Sequence, residues 1–299
     1  MCGIVGLFLK NETLASRLGE IFSPMLQCMS SRGPDSAGIA IYRDVVPDGF
    51  IKATLRHDAA IYDWNKLVNE LGRRFDCNVK LLVNANYAIV NVRAEEGPLR
   101  QAIAQIDPAV RVMSVGRSIE ILKEVGLPQS IIDRFGVRQM QGTHVIGHTR
   151  MATESAVSTN GSHPFSTGMD LCLVHNGSLS NHNSLRRQLV KNGIEIRTEN
   201  DSEVAAGYLT WRLAQKQSLQ QALESAMKDL DGFYTFVIGT ADGFAVLRDP
   251  VACKPAVMAE TNDYVAIASE FQALAHLPGI DDANIWEPKP AIVYTWERN

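Results

Sequence analysis

The stretch Met1-Cys2-Gly3-Ile4-Val5-Gly6-Leu7-Phe8-Leu9 decides how this chain is read. Its apolar run, closed by Lys10-Asn11-Glu12, predicts a buried first strand over 2–9. Removal of Met1 leaves Cys2 as the first residue, and a terminal cysteine carries a nucleophile and a base on one amino acid. A thiol titrates near ~8.5 and an α-amine near ~7.7–8.0, so the amine accepts the thiol proton at neutral pH, directly or through one water. The other reading is an ordinary buried cysteine in a first strand. Cys2 alone does not choose between them.

The remaining composition narrows the class. At 299 residues and 45% hydrophobic, the chain can bury one large core or two modest ones. A net charge of −4 gives no footprint for nucleic acid or an anionic membrane. No apolar run approaches the ~18 residues of a membrane span, and the apolar start lacks the basic segment of a signal peptide. Cys2, Cys28, Cys77, Cys172 and Cys253 form no C-x-x-C, which argues against a disulfide framework, zinc knuckle or iron–sulfur site. The expectation is a reduced, cytoplasmic protein with no metal.

Three zones follow along the chain. In the first, to about residue 43, Leu14, Leu18, Ile21, Phe22, Met25, Leu26 and Met29 recur at helical spacing. Pro24 after Ser23 fits a kink or a fresh helix start. A Gly/Pro/Asp-rich turn then feeds a strand at 39–42. Residues 44–140 alternate strand-like and helix-like segments, with a helix expected at 118–125, and read as an inserted α/β subdomain. The third zone, 141–299, is richer in strands, with Ala241-Asp242-Gly243 and Thr261-Asn262-Asp263 as hairpin turns. Antiparallel strands with helices grouped between them predict an α+β architecture of stacked sheets faced by helices.

Four polar segments sit where strands end: Arg32–Gly38, Gly147–Thr153, His175–Gly177 and Glu199–Glu203. A terminal cysteine that hydrolyses an amino-acid amide needs oxyanion donors, a cation for the α-carboxylate and an anion for the α-ammonium. Asn176 with Gly177 can supply the donors, or be a plain Asn-Gly turn. Arg150 offers a planar fork that matches a carboxylate, or is a structural arginine. Asp201 can hold the ammonium, cap the following helix, or do both. His148, His163 and His175 lack zinc-motif spacing and read as structural.

Taken together, these segments resemble the class II, N-terminal-nucleophile glutamine amidotransferases. The similarity lies in Met1–Gly6, Arg32–Gly38, Gly147-His148-Thr149-Arg150 with Thr153, Ser162-His163-Pro164, His175-Asn176-Gly177 and Asn200–Glu203, extended by Arg248-Asp249-Pro250, Lys254-Pro255 and Ala268-Ser269-Glu270. It covers roughly 1–43 and 141–275. The resemblance implies a four-layer αββα sandwich over 1–299 with the 44–140 insertion inside it. It also implies Cys2 as nucleophile, Asn176 and Gly177 as oxyanion hole, and Arg150 and Asp201 as holders of the glutamine carboxylate and ammonium. Thr153 and Arg32 would line the pocket. Met151 stands where sugar-aminating members commonly carry Trp.

More narrowly, Arg111–Ser118 and Glu120–Gly126 are similar to stand-alone amidotransferase subunits of glutamate-synthase-like systems, including N-methylglutamate synthase. That similarity implies a hetero-oligomer in which this chain needs no cofactor and passes nitrogen to a separate, flavin-dependent synthase subunit. The chain shows no phosphoribosyl-binding loop, sugar-isomerase region, dinucleotide fingerprint or β/α-barrel repeat. A free-standing glutaminase or amidase, and a non-catalytic glutamine-sensing scaffold, are the rival readings.

Overall fold

The computed structural model describes residues 2–152 and 157–298. In chain order, β1 (Gly3–Leu9) leads through α1 (Leu18–Cys28) to β2 (Ser36–Tyr42). Then come β3 (Ile51–Arg56), α2 (Trp64–Phe75), β4 (Lys80–Asn84), β5 (Tyr87–Val92), α3 (Glu96–Ile106) and β6 (Arg111–Gly116). The chain continues as β7 (Ile119–Val125), α4 (Pro128–Phe135), β8 (His144–Arg150), β9 (Phe165–Gly168) and β10 (Leu171–Leu179). Three helices follow, α5 (His182–Lys191), α6 (Asp201–Ala214) and α7 (Leu219–Asp229). Last are β11 (Gly232–Gly239), β12 (Gly243–Arg248), β13 (Val257–Glu260), β14 (Tyr264–Ala268), β15 (Asn284–Trp286) and β16 (Val293–Glu297).

The strands form a seven-stranded sheet in the order β15-β13-β14-β1-β8-β2-β7, a five-stranded sheet β16-β12-β11-β10-β9 and a four-stranded sheet β4-β5-β3-β6. Strand β1 is central because both of its faces are apolar. Val5, Leu7 and Leu9 pack with Leu18, Phe22 and Leu26 of α1, while Ile4 and Phe8 pack with Val174, Val237 and Phe244 of the second sheet. The outer face of that sheet is buried by α5, α6 and α7 through Leu189, Leu209 and Leu223. Helices, sheet, sheet and helices are the expected four layers, with cores between each pair. Among the described residues, no helix is long and apolar enough to cross a membrane.

The four-stranded sheet with α2 and α3 has its own aliphatic core around Leu55, Leu67, Val90 and Leu99. That unit is narrower than 44–140. Residues 119–125, expected as a helix, are the edge strand β7 of the seven-stranded sheet, paired with β2 from Ser36↔Val125 to Tyr42↔Ile119. The charges that make this segment look like an exposed helical face are buried: Glu120 and Lys123 are 1% and 4% exposed. Helix α4 likewise packs Ile131, Ile132 and Phe135 into the core beneath α1. Pro24 lies inside α1 and does not start it.

Candidate active site

Strand register brings Cys2 and Arg150 together. Gly3 stands opposite Thr149 and Ser36 opposite Arg150, so Cys2 precedes β1 at the end where β8 finishes. Alternation along β1 sends Ile4 and Phe8 between the sheets, and Cys2 follows the same parity. On the facing sheet, Cys172 and Val174 of β10 also point into that gap, and Asn176 continues their row. Its Nδ2 donates to the Cys2 carbonyl at 3.2 Å and to Ser269 Oγ at 3.1 Å. The neighbouring His175 points the other way, where its Nδ1 meets Ser202 Oγ of α6 at 2.9 Å and Asp201 Oδ1 at 3.8 Å.

Asn176 and Gly177 are not a turn. They pair with Thr235 and Tyr234 inside the β10–β11 ladder. Gly177 has φ +149°, and a Cβ there would lie 1.7 Å from the Phe233 carbonyl oxygen, so only glycine fits.

The direction of the Asn176 amide follows from His148. His148 Nε2 is 3.1 Å from the His175 carbonyl and 3.1 Å from Asn176 Oδ1. A carbonyl only accepts, so Nε2 carries the proton, the amide oxygen faces it, and the amide N–H groups face Cys2 and Ser269. Burial holds the His148 pKa down to about 3, which keeps the ring neutral. His163 stacks on it with centroids 4.0 Å apart and accepts from the His175 backbone N–H at 3.2 Å. Burial lowers both His163 and His175 as well. Among the described residues no group of three or more His, Cys, Asp or Glu could hold a metal.

Arg32 is committed to Cys2. Its Nε donates to the Cys2 carbonyl at 2.9 Å while Nη1 pairs with Glu270 at 2.5 Å. The turn that carries it lies against β8, since a Cβ on Gly33 would meet Thr149 C at 2.4 Å. Asp35 then fixes the end of β8: its N–H donates to the Arg150 carbonyl at 3.1 Å and its carboxylate accepts from Ala152 N–H at 2.8 Å. Cys2 Sγ lies 3.8 Å from the Met151 carbonyl oxygen. Arg150 is buried, with Nη1 beside Gly161.

The helix cap is Asn200, whose side chain accepts from Ser202 N–H at 2.9 Å. Asp201 is the first helical residue, and its Oδ2 accepts from Leu179 N–H at 2.9 Å. Thr153, expected in the pocket, lies outside the described residues. Ser269 and Asp35 were not singled out from sequence, and His148 only as structural. For Ser269 and Asp35 the signal was membership in motifs already noted. For His148 the orienting contact comes from a residue 28 positions away.

Two stacked antiparallel sheets between helices define an N-terminal-nucleophile-hydrolase type of fold, and Cys2 stands at the end of its central strand. The glutamine amidotransferase domain family matches residues 148–276. The glutamine amidotransferase-like protein GlxB of Rhizobium meliloti strain 1021 is 54% identical over 298 residues, covering 99% of this chain and 98% of that protein. A Methanothermobacter thermautotrophicus relative that also carries a glutamine amidotransferase name is 33% identical over 308 residues, 99% of this chain and 100% of its own length. The structure of glutamine phosphoribosylpyrophosphate amidotransferase from B. subtilis superimposes with a TM-score of 0.62 at 20% identity, over 99% of this chain and 47% of that one, a likeness of fold. The chain belongs to the glutamine amidotransferase family.

Proposed function

We propose that this chain releases ammonia from the glutamine side chain through a Cys2 thioester and supplies it to a separate synthase subunit. The observation that carries the hydrolytic half is the Asn176 amide, turned by His148 so that its N–H groups face Cys2. With Met1 removed, the Cys2 amine takes the thiol proton and Sγ attacks the side-chain carbonyl carbon. A C–S bond forms, the C–N bond breaks, and the proton leaves with ammonia. Water then breaks the C–S bond and yields glutamate.

The oxyanion would take the Asn176 N–H that now serves the Cys2 carbonyl, together with the Gly177 N–H. Arg32 donates to that same carbonyl, so the carbonyl stays satisfied when Asn176 lets go. Arg150 would clamp the glutamine carboxylate and Asp201 its ammonium, with Thr153 at the pocket wall. Placing the synthase chemistry on a partner of glutamate-synthase or N-methylglutamate-synthase type rests on the similarity of residues 111–126 to stand-alone amidotransferase subunits of such systems. The insert is the proposed docking region for it.

Purification with and without a candidate synthase subunit tests the assignment. Glutaminase activity that rises with the partner, together with incorporation of the released ammonia into 2-oxoglutarate when a reductant is supplied, supports it. Full glutaminase activity alone, unchanged by any partner, makes the chain a free-standing glutaminase.

A further inference from the structure

The segment 158–164 stands between the two residues proposed to hold glutamine. A Cβ on Gly161 would lie 3.7 Å from Arg150 Nη1, and the Gly161 carbonyl accepts from Asn200 Nδ2 at 3.2 Å, one residue before Asp201. The segment is a compact turn: Ser162 Oγ donates to the Ser158 carbonyl at 2.8 Å and Gly161 N–H to Ser158 Oγ at 3.2 Å. Its far side rests on Lys123. That lysine sits on edge strand β7 and reaches into the gap between the sheets. Its Nζ donates to the carbonyls of Ser162 at 2.5 Å, Pro164 at 3.0 Å and Asn160 at 3.4 Å, and lies 4.5 Å from the Phe165 ring centre.

Three carbonyls aimed at one point repel one another unless a cation gathers them. Among the described residues Lys123 makes no ion pair within 4.0 Å, and its buried charge is offset by the carbonyl cage and by the more distant Glu203 carboxylate. A second tie meets the same turn from the insert. Thr159 Oγ1 donates to Glu124 and accepts from Arg56 Nη2 at 3.4 Å, and Arg56 is the last residue of β3.

We propose that Lys123 is a positioning residue for glutamine: by gathering the 160, 162 and 164 carbonyls it fixes Gly161 between Arg150 and Asn200, and so sets the spacing of the carboxylate and ammonium holders. The proposal rests on the assignment of Arg150 and Asp201 to glutamine. Lys123 touches no reacting atom, so its loss acts on binding and leaves chemistry at Cys2 alone.

The test compares Lys123→Met with wild type in glutaminase kinetics and in thiol alkylation. A clamp displaced by a fraction of an ångström raises the glutamine KM about tenfold and leaves kcat within about twofold. Iodoacetamide, which needs no clamp, then alkylates Cys2 at the wild-type rate, while glutamine protects only at about tenfold higher concentration. Thr159→Val removes the second tie without touching the buried ammonium, and raises KM in the same direction by a smaller factor. It decides the matter if Lys123→Met does not fold. A folded Lys123→Met with wild-type KM, or an unfolded one alongside an unchanged Thr159→Val, overturns the proposal. Arg150→Lys separates the two levels. Unchanged KM there removes the clamp assignment itself, whereas raised KM there with wild-type KM in folded Lys123→Met removes only the role of Lys123.

Discussion

Buried polar side chains gather in two places, and they are arranged differently. Where the insert meets the sandwich, Glu120 accepts from Lys52 at 3.0 Å and from Arg43 Nη2 at 2.8 Å, and Lys52 also donates to the Arg43 carbonyl at 2.8 Å. These charges answer one another, and Glu120 and Lys52 are almost wholly covered. At the end of β1 the buried donors Arg32 and Asn176 are instead aimed at a partly exposed cysteine, and the neutral His148 ring holds the Asn176 amide in that direction. The closed cluster fastens two units together, and the open one leaves donors that a ligand can use.

Four expected outcomes test that contrast. The largest is Cys2→Ser, which should lower turnover by at least about 10³-fold while glutamine still binds, read by steady-state kinetics and by isothermal titration. Next is Asn176→Ala, where one lost oxyanion donor costs about 10²–10³ in kcat and little in KM; an effect on KM alone would move Asn176 from the transition state to ground-state binding. Glu120→Ala leaves the buried Lys52 and the partly buried Arg43 without their carboxylate. It should cost about 3–5 kcal/mol in denaturant unfolding while the folded fraction hydrolyses glutamine normally. If turnover falls as far as stability, the two clusters are not separable.

The smallest effect is on pH dependence. Burial pushes Lys123 down to about 7 from the ordinary 10.5. Between those values the unfolded chain binds a proton at this position that the folded chain does not, so stability rises with pH across that window. The cost of burying the charge is fully present below about 7. Unfolding midpoints measured at pH 7 and pH 10 should converge in Lys123→Met relative to wild type.

Much of this was legible in sequence. The apolar run 2–9 placed the central strand, and the two turns at 241–243 and 261–263 separate β11 from β12 and β13 from β14. Cys2, Arg150 and Asn176 were singled out by chemistry, and the fold brings them to one end of the sandwich. Other features were hidden for physical reasons. Strand β7 was expected as a helix; its Glu120 and Lys123 would suit a solvent face, yet both are buried against partners that only the fold supplies. Asn176-Gly177 resembles a turn, but its φ of +149° at Gly177 serves a close crossing of β11 within a ladder. The cap of α6 fell one residue earlier than Asp201 because Asn200 already meets the Ser202 N–H. Lys123 could not be found from side-chain patterns, since it bonds backbone carbonyls 37 to 41 residues away.

The most direct measurement is peptide mapping by mass spectrometry after treatment with a diazoketone analogue of glutamine. The account predicts one adduct, on Cys2 as the first residue of a chain that has lost Met1, with glutamine protecting it. An active protein that retains Met1, or label found on the exposed Cys253 in place of Cys2, would contradict it.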